Sequence, residues 1–210
     1  MQRRIDLGIM DLTVKQRPIV IIANYRTSSS ALSEHIAIHY GLTRFAEPMQ
    51  WHARYTEFDS YMNQNKTDFV LKIIAEQMDD CRYYREILAR DCYKIRLLKR
   101  NVPEQIASHY LAKKTRRWSQ LIDEERNNDY IIRTVRSQLL SSMNTILHNN
   151  ALLEESTIQF DETIYAEDLP FLEVSKYKIS TKPKNYDYIY ESACKLYETR
   201  DTYRLRLILD

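Results

Sequence analysis

The tightest constraint in this chain is the run Ile19-Val20-Ile21-Ile22-Ala23, set between Pro18 and the polar stretch Asn24 to Ser30. Five consecutive apolar residues, four of them β-branched and none alternating with polar ones, predict a strand covered on both faces. Such strands belong to parallel sheets packed between helices, so an α/β fold is expected. After the polar stretch, Ala31/Leu32, Ile36 and Tyr40 recur at the three-to-four spacing of a helix packed by one stripe. Ser28, Ser29 and Ser30 can cap that helix, and its first unpaired N–H groups point back into the loop. With Arg26 beside them, the junction suits an anion, because a helix N-terminus carries free donors and partial positive charge. An ordinary serine-capped helix is the alternative on this stretch alone.

Strand and helix patterns alternate along the rest of the chain. A short edge strand is expected at Ile9 to Val14, a second strand at Leu42 to Phe45, a third from Asp68, a fourth at Tyr93 to Leu98 and a last core strand at Thr157 to Phe160. Helices are expected around Tyr55 to Met62, at Ala75 to Arg90, from Pro103 to about Arg117, and from about Tyr186 to Leu207. Apolar residues largely four apart across 119–150 predict a long amphipathic helix or a helix pair, and Ala166 to Val174 a short acidic-capped helix. A basic loop is expected at Lys176 to Lys184. The expected fold is a three-layer α/β domain, its parallel sheet of four to five strands flanked by helices. With 210 residues, 44% hydrophobic, and no internal repeat or linker, the chain reads as one domain over 1–210.

Charge excludes little. With 31 basic and 29 acidic residues, non-specific binding to nucleic acid or membrane is not the default. Cys81, Cys92 and Cys194 lack metal-ligand spacing and fit reduced thiols, so a cytoplasmic setting is expected. No run has membrane-spanning length and no signal peptide is expected. His35 and His39, four apart on one helix, read as a packing or surface pair. A Walker A loop is absent, the sequence holding two glycines, Gly8 and Gly41.

The second motif lies in the segment from Tyr93 to Trp118. Its strand delivers Lys99-Arg100-Asn101 to a sheet edge, and Ser108 follows on the second turn of the next helix. In open parallel sheets ligands gather at the carboxyl ends of strands, where Arg100 and the Arg26 loop both belong. Eight Lys or Arg against one acid, Glu104, between Lys94 and Arg117 leave a basic surface helix as the plain alternative.

Arg26-Thr27-Ser28-Ser29-Ser30 resembles the Arg-x-Gly-[Ser/Thr]-[Ser/Thr] loop by which sulfotransferases hold the 5′-phosphosulfate of 3′-phosphoadenosine 5′-phosphosulfate (PAPS), with Ser28 where that family usually has glycine. Arg100-Asn101 with Ser108 eight residues after the arginine resembles the same family's 3′-phosphate motif. The run through Ala112, Thr115 and Trp118 is similar to the trehalose and sulfolipid branch, and Lys182-Pro183-Lys184-Asn185 to the Lys-Pro-x-Asn of tyrosylprotein sulfotransferases. The resemblance implies a P-loop-like form of the three-layer α/β fold and sulfuryl transfer from PAPS to an acceptor hydroxyl, leaving adenosine 3′,5′-bisphosphate. It implies Glu47 as general base, Lys72 near the sulfuryl group and Lys182 toward the cofactor phosphate, and it calls for no metal. The acceptor class is left open among carbohydrate, lipid, peptide and small alcohol, with a homodimer allowed for. Two rivals stand beside it: a PAPS- or nucleotide-binding protein without activity, and a nucleic-acid-binding module using the basic helix 94–117.

Overall fold

The computed structural model describes residues 17–48, 52–64, 66–80, 82–115, 131–169 and 182–200. The expected edge strand at Ile9 to Val14 lies outside them, as do Cys81 and Trp118 and most of the expected basic loop.

Among the described residues, strand β1 (Ile19–Ala23) sits at the centre of a five-stranded parallel sheet, between β3 (Phe69–Ile74) and β4 (Tyr93–Leu98). The edges are β2 (Thr43–Ala46) beside β3 and β5 (Glu162–Tyr165) beside β4. All five residues of β1 are buried, as their unbroken apolar run demands. Val20 and Ile22 pack on one face with Phe58 and Met62 of α2 (His52–Asn63) and with Tyr84 and Ile87 of α4 (Arg82–Leu88). Ile19, Ile21 and Ala23 pack on the other with Leu32, Ile36 and Ala37 of α1 (Ser29–Tyr40). Each fully buried Ile or Val of β1 contributes about 1.5–3 kcal/mol. The expected three-layer α/β architecture, a parallel sheet between helical layers, is borne out.

A third apolar cluster lies among helices alone. Ile106 and Tyr110 of α5 (Val102–Thr115) meet Leu139, Met143 and Ile146 of α6 (Arg136–Glu155) and Ile189 and Ala193 of α7 (Tyr186–Glu198). Helix α6 bridges two of the clusters, since its Leu153 reaches the sheet core.

Several boundaries differ from the sequence expectation. The last strand lies at Glu162–Tyr165, not Thr157 to Phe160. Ile158 and Phe160 do alternate, but they pack against the core from outside the sheet, and pairing with β4 begins only at Ile95 opposite Glu162. The single helix expected over Ala75 to Arg90 is instead α3 (Gln77–Asp80) followed by α4. Ala75 and Glu76 form a turn, where the Gln77 side chain accepts a bond from Ile74 N–H at 2.9 Å. Ile131, expected in the amphipathic stripe, precedes α6 and is 72% exposed. After β5 the described chain makes one 3₁₀ turn, Ala166–Asp168, and the rest of the helix expected to Val174 falls outside the described residues.

Helix α1 ends at Gly41, whose φ of 66° is the left-handed cap that glycine adopts without strain. A Cβ added there meets nothing within 4 Å. Gly41→Ala is therefore expected to cost about 1 kcal/mol from backbone conformation alone, measured by urea unfolding. A loss several times larger would mean a clash that the open surroundings do not contain.

Candidate functional site

Because the five described strands are parallel, they end on one edge of the sheet, and the loops that follow them share it. Backbone strain gathers at the same edge. Among the described residues the non-glycine positions with positive φ are Arg26 (61°), Ser28 (63°) and Glu47 (49°), in the loops after β1 and β2. Strain of this kind persists only where surrounding structure enforces it, and it concentrates at functional sites. Ser28 adopts the left-handed conformation that glycine takes without strain, with ψ of 21°. The first helical bond of α1 runs from Leu32 N–H to Ser28 C=O at 3.1 Å, so the amides of Ser29, Ser30 and Ala31 stand ahead of the helical ladder.

The loop is held residue by residue by α5 and α6. Buried Asn24 donates through Nδ2 to Ile146 C=O and to Asn150 Oδ1, both at 2.8 Å, while its Oδ1 accepts from Tyr25 N–H at 2.6 Å. Tyr25 C=O accepts from Gln105 Nε2 at 2.6 Å, and its ring lies 5.1 Å from His109. Arg26 Nε donates to Ser108 Oγ at 2.9 Å. Thr27, fully buried, turns its hydroxyl inward to Asn24 C=O at 2.9 Å, so it closes the loop rather than lining it.

Charged groups collect around this cradle. Lys72, in β3, is ion-paired with Glu47, the two side chains being 6% and 17% exposed. Glu47 N–H also bonds to Lys72 C=O at 2.8 Å, which fixes the carboxylate beside its partner. Burial pushes the Lys72 ammonium down from its ordinary pKa against the pull of Glu47, and Arg44 and Arg26 push it further. Burial likewise lowers Arg26. Arg44 donates through Nε to Ser33 Oγ at 2.8 Å and through its terminal nitrogen to Ser30 C=O at 3.3 Å, bracing α1 from β2. Across the edge, Tyr25 OH donates to Glu76, and Glu76 exchanges two bonds with Asn149: its N–H to Oδ1 at 2.9 Å, and Asn149 Nδ2 to its Oε2 at 3.2 Å. Burial first, then Glu76, raises the Tyr25 phenol.

The structure therefore brings Arg26, Lys72, Glu47 and Ser108 together with the Ser28–Ser30 turn. It seats Arg100 elsewhere on the edge, forked onto Asp168 with both bonds at 2.6 Å. Ser108 faces Arg26 rather than Arg100. Lys182 stands over the Tyr186 ring at 4.1 Å, and Asn185 clamps the backbone of Ile132 from both sides. Of the basic segment, Arg96 bonds Thr163 and Lys99 pairs with Glu104 at 3.0 Å. His35 and His39 stack with ring centroids 6.1 Å apart. Among the described residues no group of three His, Cys, Asp or Glu is placed to hold a metal ion. Sequence reasoning missed Arg44 and the Tyr25–Glu76–Asn149 network. Its readable trace is the Asn149-Asn150 pair, which interrupts the stripe Leu139, Met143, Ile146, Leu153 where an apolar residue belongs.

Two outcomes follow from this geometry. Ser28→Gly is expected to leave stability unchanged or raise it by up to about 1 kcal/mol, since relief of the left-handed strain slightly exceeds glycine's extra freedom in the unfolded chain. Ser28→Val should lower it; if denaturant unfolding shows the reverse order, the left-handed turn is not the folded conformation. His109 contributes a pH dependence of stability, and His35, lowered by burial and by His39, adds to it with the same sign. Burial, aided by Lys113 and Arg26, lowers the His109 pKa to about 4 from an ordinary 6.5. As pH falls through that window the unfolded chain binds a proton that the folded chain refuses. The His109 contribution is thus full above the upper value, about 2 kcal/mol lower by roughly pH 5, and levels off below the folded pKa. His109→Gln should flatten this slope in urea unfolding at pH 7 and pH 5; an equal fall in both proteins would contradict a buried neutral imidazole.

No family model matches the sequence, and no curated protein matches it. Among solved structures, shikimate kinase from Acinetobacter baumannii in complex with shikimate is similar at 12% identity and a TM-score of 0.44, over 90% of this chain and 97% of that one.

Proposed function

We propose that this chain binds PAPS and passes its sulfuryl group to an acceptor hydroxyl. The observation that carries the reading is the Arg26 Nε–Ser108 Oγ bond at 2.9 Å. It joins two motifs, far apart in sequence, that each resemble one end of the same cofactor site. The strained Arg26–Ser28 turn, with the Ser29, Ser30 and Ala31 amides ahead of the α1 ladder, fits a phosphosulfate of high charge density.

PAPS, when bound, supplies an activated sulfur whose bond to the phosphate oxygen breaks as its bond to the acceptor oxygen forms, by analogy with phosphoryl transfer. Arg26 and the α1 N-terminus stabilise charge growing on the leaving oxygen. Lys72 holds the sulfuryl oxygens and orients Glu47 through their ion pair. Glu47 takes the proton of the acceptor hydroxyl. Thr27 shapes the loop while Ser28, Ser29 and Ser30 supply its donors. Arg100 and Lys182 serve the 3′-phosphate end of adenosine 3′,5′-bisphosphate, and Ser108 reaches toward it from beside Arg26, between the two ends of the nucleotide. The acceptor is a carbohydrate, lipid, peptide or small alcohol rather than a nucleic acid, and the setting is cytoplasmic; a homodimer is compatible. No described helix is long and apolar enough to cross a membrane. One observation favours a second reading, a nucleotide-binding protein without transfer: Glu47 is already engaged in an ion pair with Lys72.

Calorimetry with adenosine 3′,5′-bisphosphate tests binding, and labelled PAPS offered with acceptor hydroxyls tests transfer. Arg26→Ala should weaken the nucleotide by roughly 2–3 kcal/mol, the value of a charge-assisted bond to a shielded anion. Glu47→Gln should keep nucleotide affinity and lower turnover about a hundredfold to ten-thousandfold. Nucleotide binding without turnover in the unaltered protein would select the second reading, and absence of binding would end both.

A further inference from the structure

At the end of β4 the Arg100 guanidinium is occupied by the chain itself. Its two terminal nitrogens meet both carboxylate oxygens of Asp168 at 2.6 Å, a matched fork. The guanidinium carbon stands over the Tyr165 ring, 4.0 Å from its centroid. One residue away, Glu167 accepts the backbone N–H of Arg100 at 3.2 Å and of Asn101 at 3.0 Å. Sheet register brings these groups level: β4 and β5 pair through Leu98 and Tyr165, and the 3₁₀ turn Ala166–Asp168 follows at once. The contact is nevertheless open to competition. The Arg100 and Asp168 side chains are 52% and 55% exposed, so water repays much of what the pair loses on opening. By contrast, the Arg26 and Lys72 contacts are sheltered.

A phosphate presents the same bidentate face as a carboxylate, with more charge. Resting on the reading of Arg100 as the 3′-phosphate arginine, we propose that Asp168 is a specificity-determining latch. It fills the Arg100 fork in the free protein and must swing away before a nucleotide 3′-phosphate can dock. The apparent affinity for a 3′-phosphorylated nucleotide is then the intrinsic affinity scaled by the fraction of molecules with the fork open. A nucleotide lacking that phosphate does not sense the latch.

Calorimetric titration of adenosine 3′,5′-bisphosphate and adenosine 5′-phosphate into the unaltered protein, Asp168→Asn and Arg100→Ala tests this. Asp168→Asn is expected to tighten the bisphosphate about three- to tenfold, as the competitor and its repulsion of the incoming phosphate are both removed, and to leave adenosine 5′-phosphate unchanged. Arg100→Ala should weaken the bisphosphate alone. Equal bisphosphate affinity in the unaltered protein and Asp168→Asn, with Arg100→Ala still weakened, would overturn the latch while sparing the cofactor reading. Equal tightening of both nucleotides would also overturn it, as a general charge effect. If neither nucleotide binds any of the three proteins, the cofactor reading fails and the latch with it. Circular dichroism of each variant identifies misfolding, and Asp168→Ser then replaces a variant that does not fold.

Discussion

The cradle at the sheet edge depends on one buried amide. Asn24 follows the last residue of β1, and its side chain spends its donors on α6 and its oxygen on the next backbone N–H. An unsatisfied amide in that place would cost about 1–3 kcal/mol, so the loop has a strong reason to stay where α6 can reach it. Once Asn24 is fixed, Tyr25 falls between Gln105, His109 and Glu76, and Arg26 arrives at Ser108 in a left-handed conformation it would not choose alone. The helical cluster of α5, α6 and α7 thus acts as the mould, and the sheet as the anvil behind it.

The electrostatics follow from that placement. Arg26, Arg44 and Lys72 are held near the first turn of α1, with Glu47 and Glu76 as the nearby carboxylates. Cations taken out of water are costly unless paired, which is why Lys72 has Glu47 and why burial lowers both Lys72 and Arg26. An anion arriving at the helix N-terminus relieves repulsion among the three cations, a gain that a solvated surface patch would not offer. The exposed Arg100 fork lacks this shelter.

Much of the framework was legible in the residues because it rests on local pattern. The unbroken run Ile19 to Ala23 gave a fully buried central strand, and Tyr93 to Leu98 matched β4 at both ends. Ser28, where the resembled loop has glycine, left open whether the turn would widen or turn left-handed, and it turns left-handed. What escaped reading was long-range. Glu76 meets Asn149, and Arg100 meets Asp168, only because of how α6 is rotated and how β5 is registered, and neither is written in a neighbouring residue. Likewise Ile158 and Phe160 carry a strand's alternation yet serve the core from outside the sheet, since pattern reports burial and not pairing.

The central claim is that the Arg26–Ser30 turn is an anion cradle built by the loop's own amides. Backbone ¹⁵N–¹H resonances of Ser29, Ser30 and Ala31, followed as adenosine 3′,5′-bisphosphate is added, test it most directly. The account predicts that these amides move downfield together and saturate with the calorimetric affinity, as their N–H groups take up phosphate oxygens. Binding that perturbs other amides while leaving these three in place would contradict it.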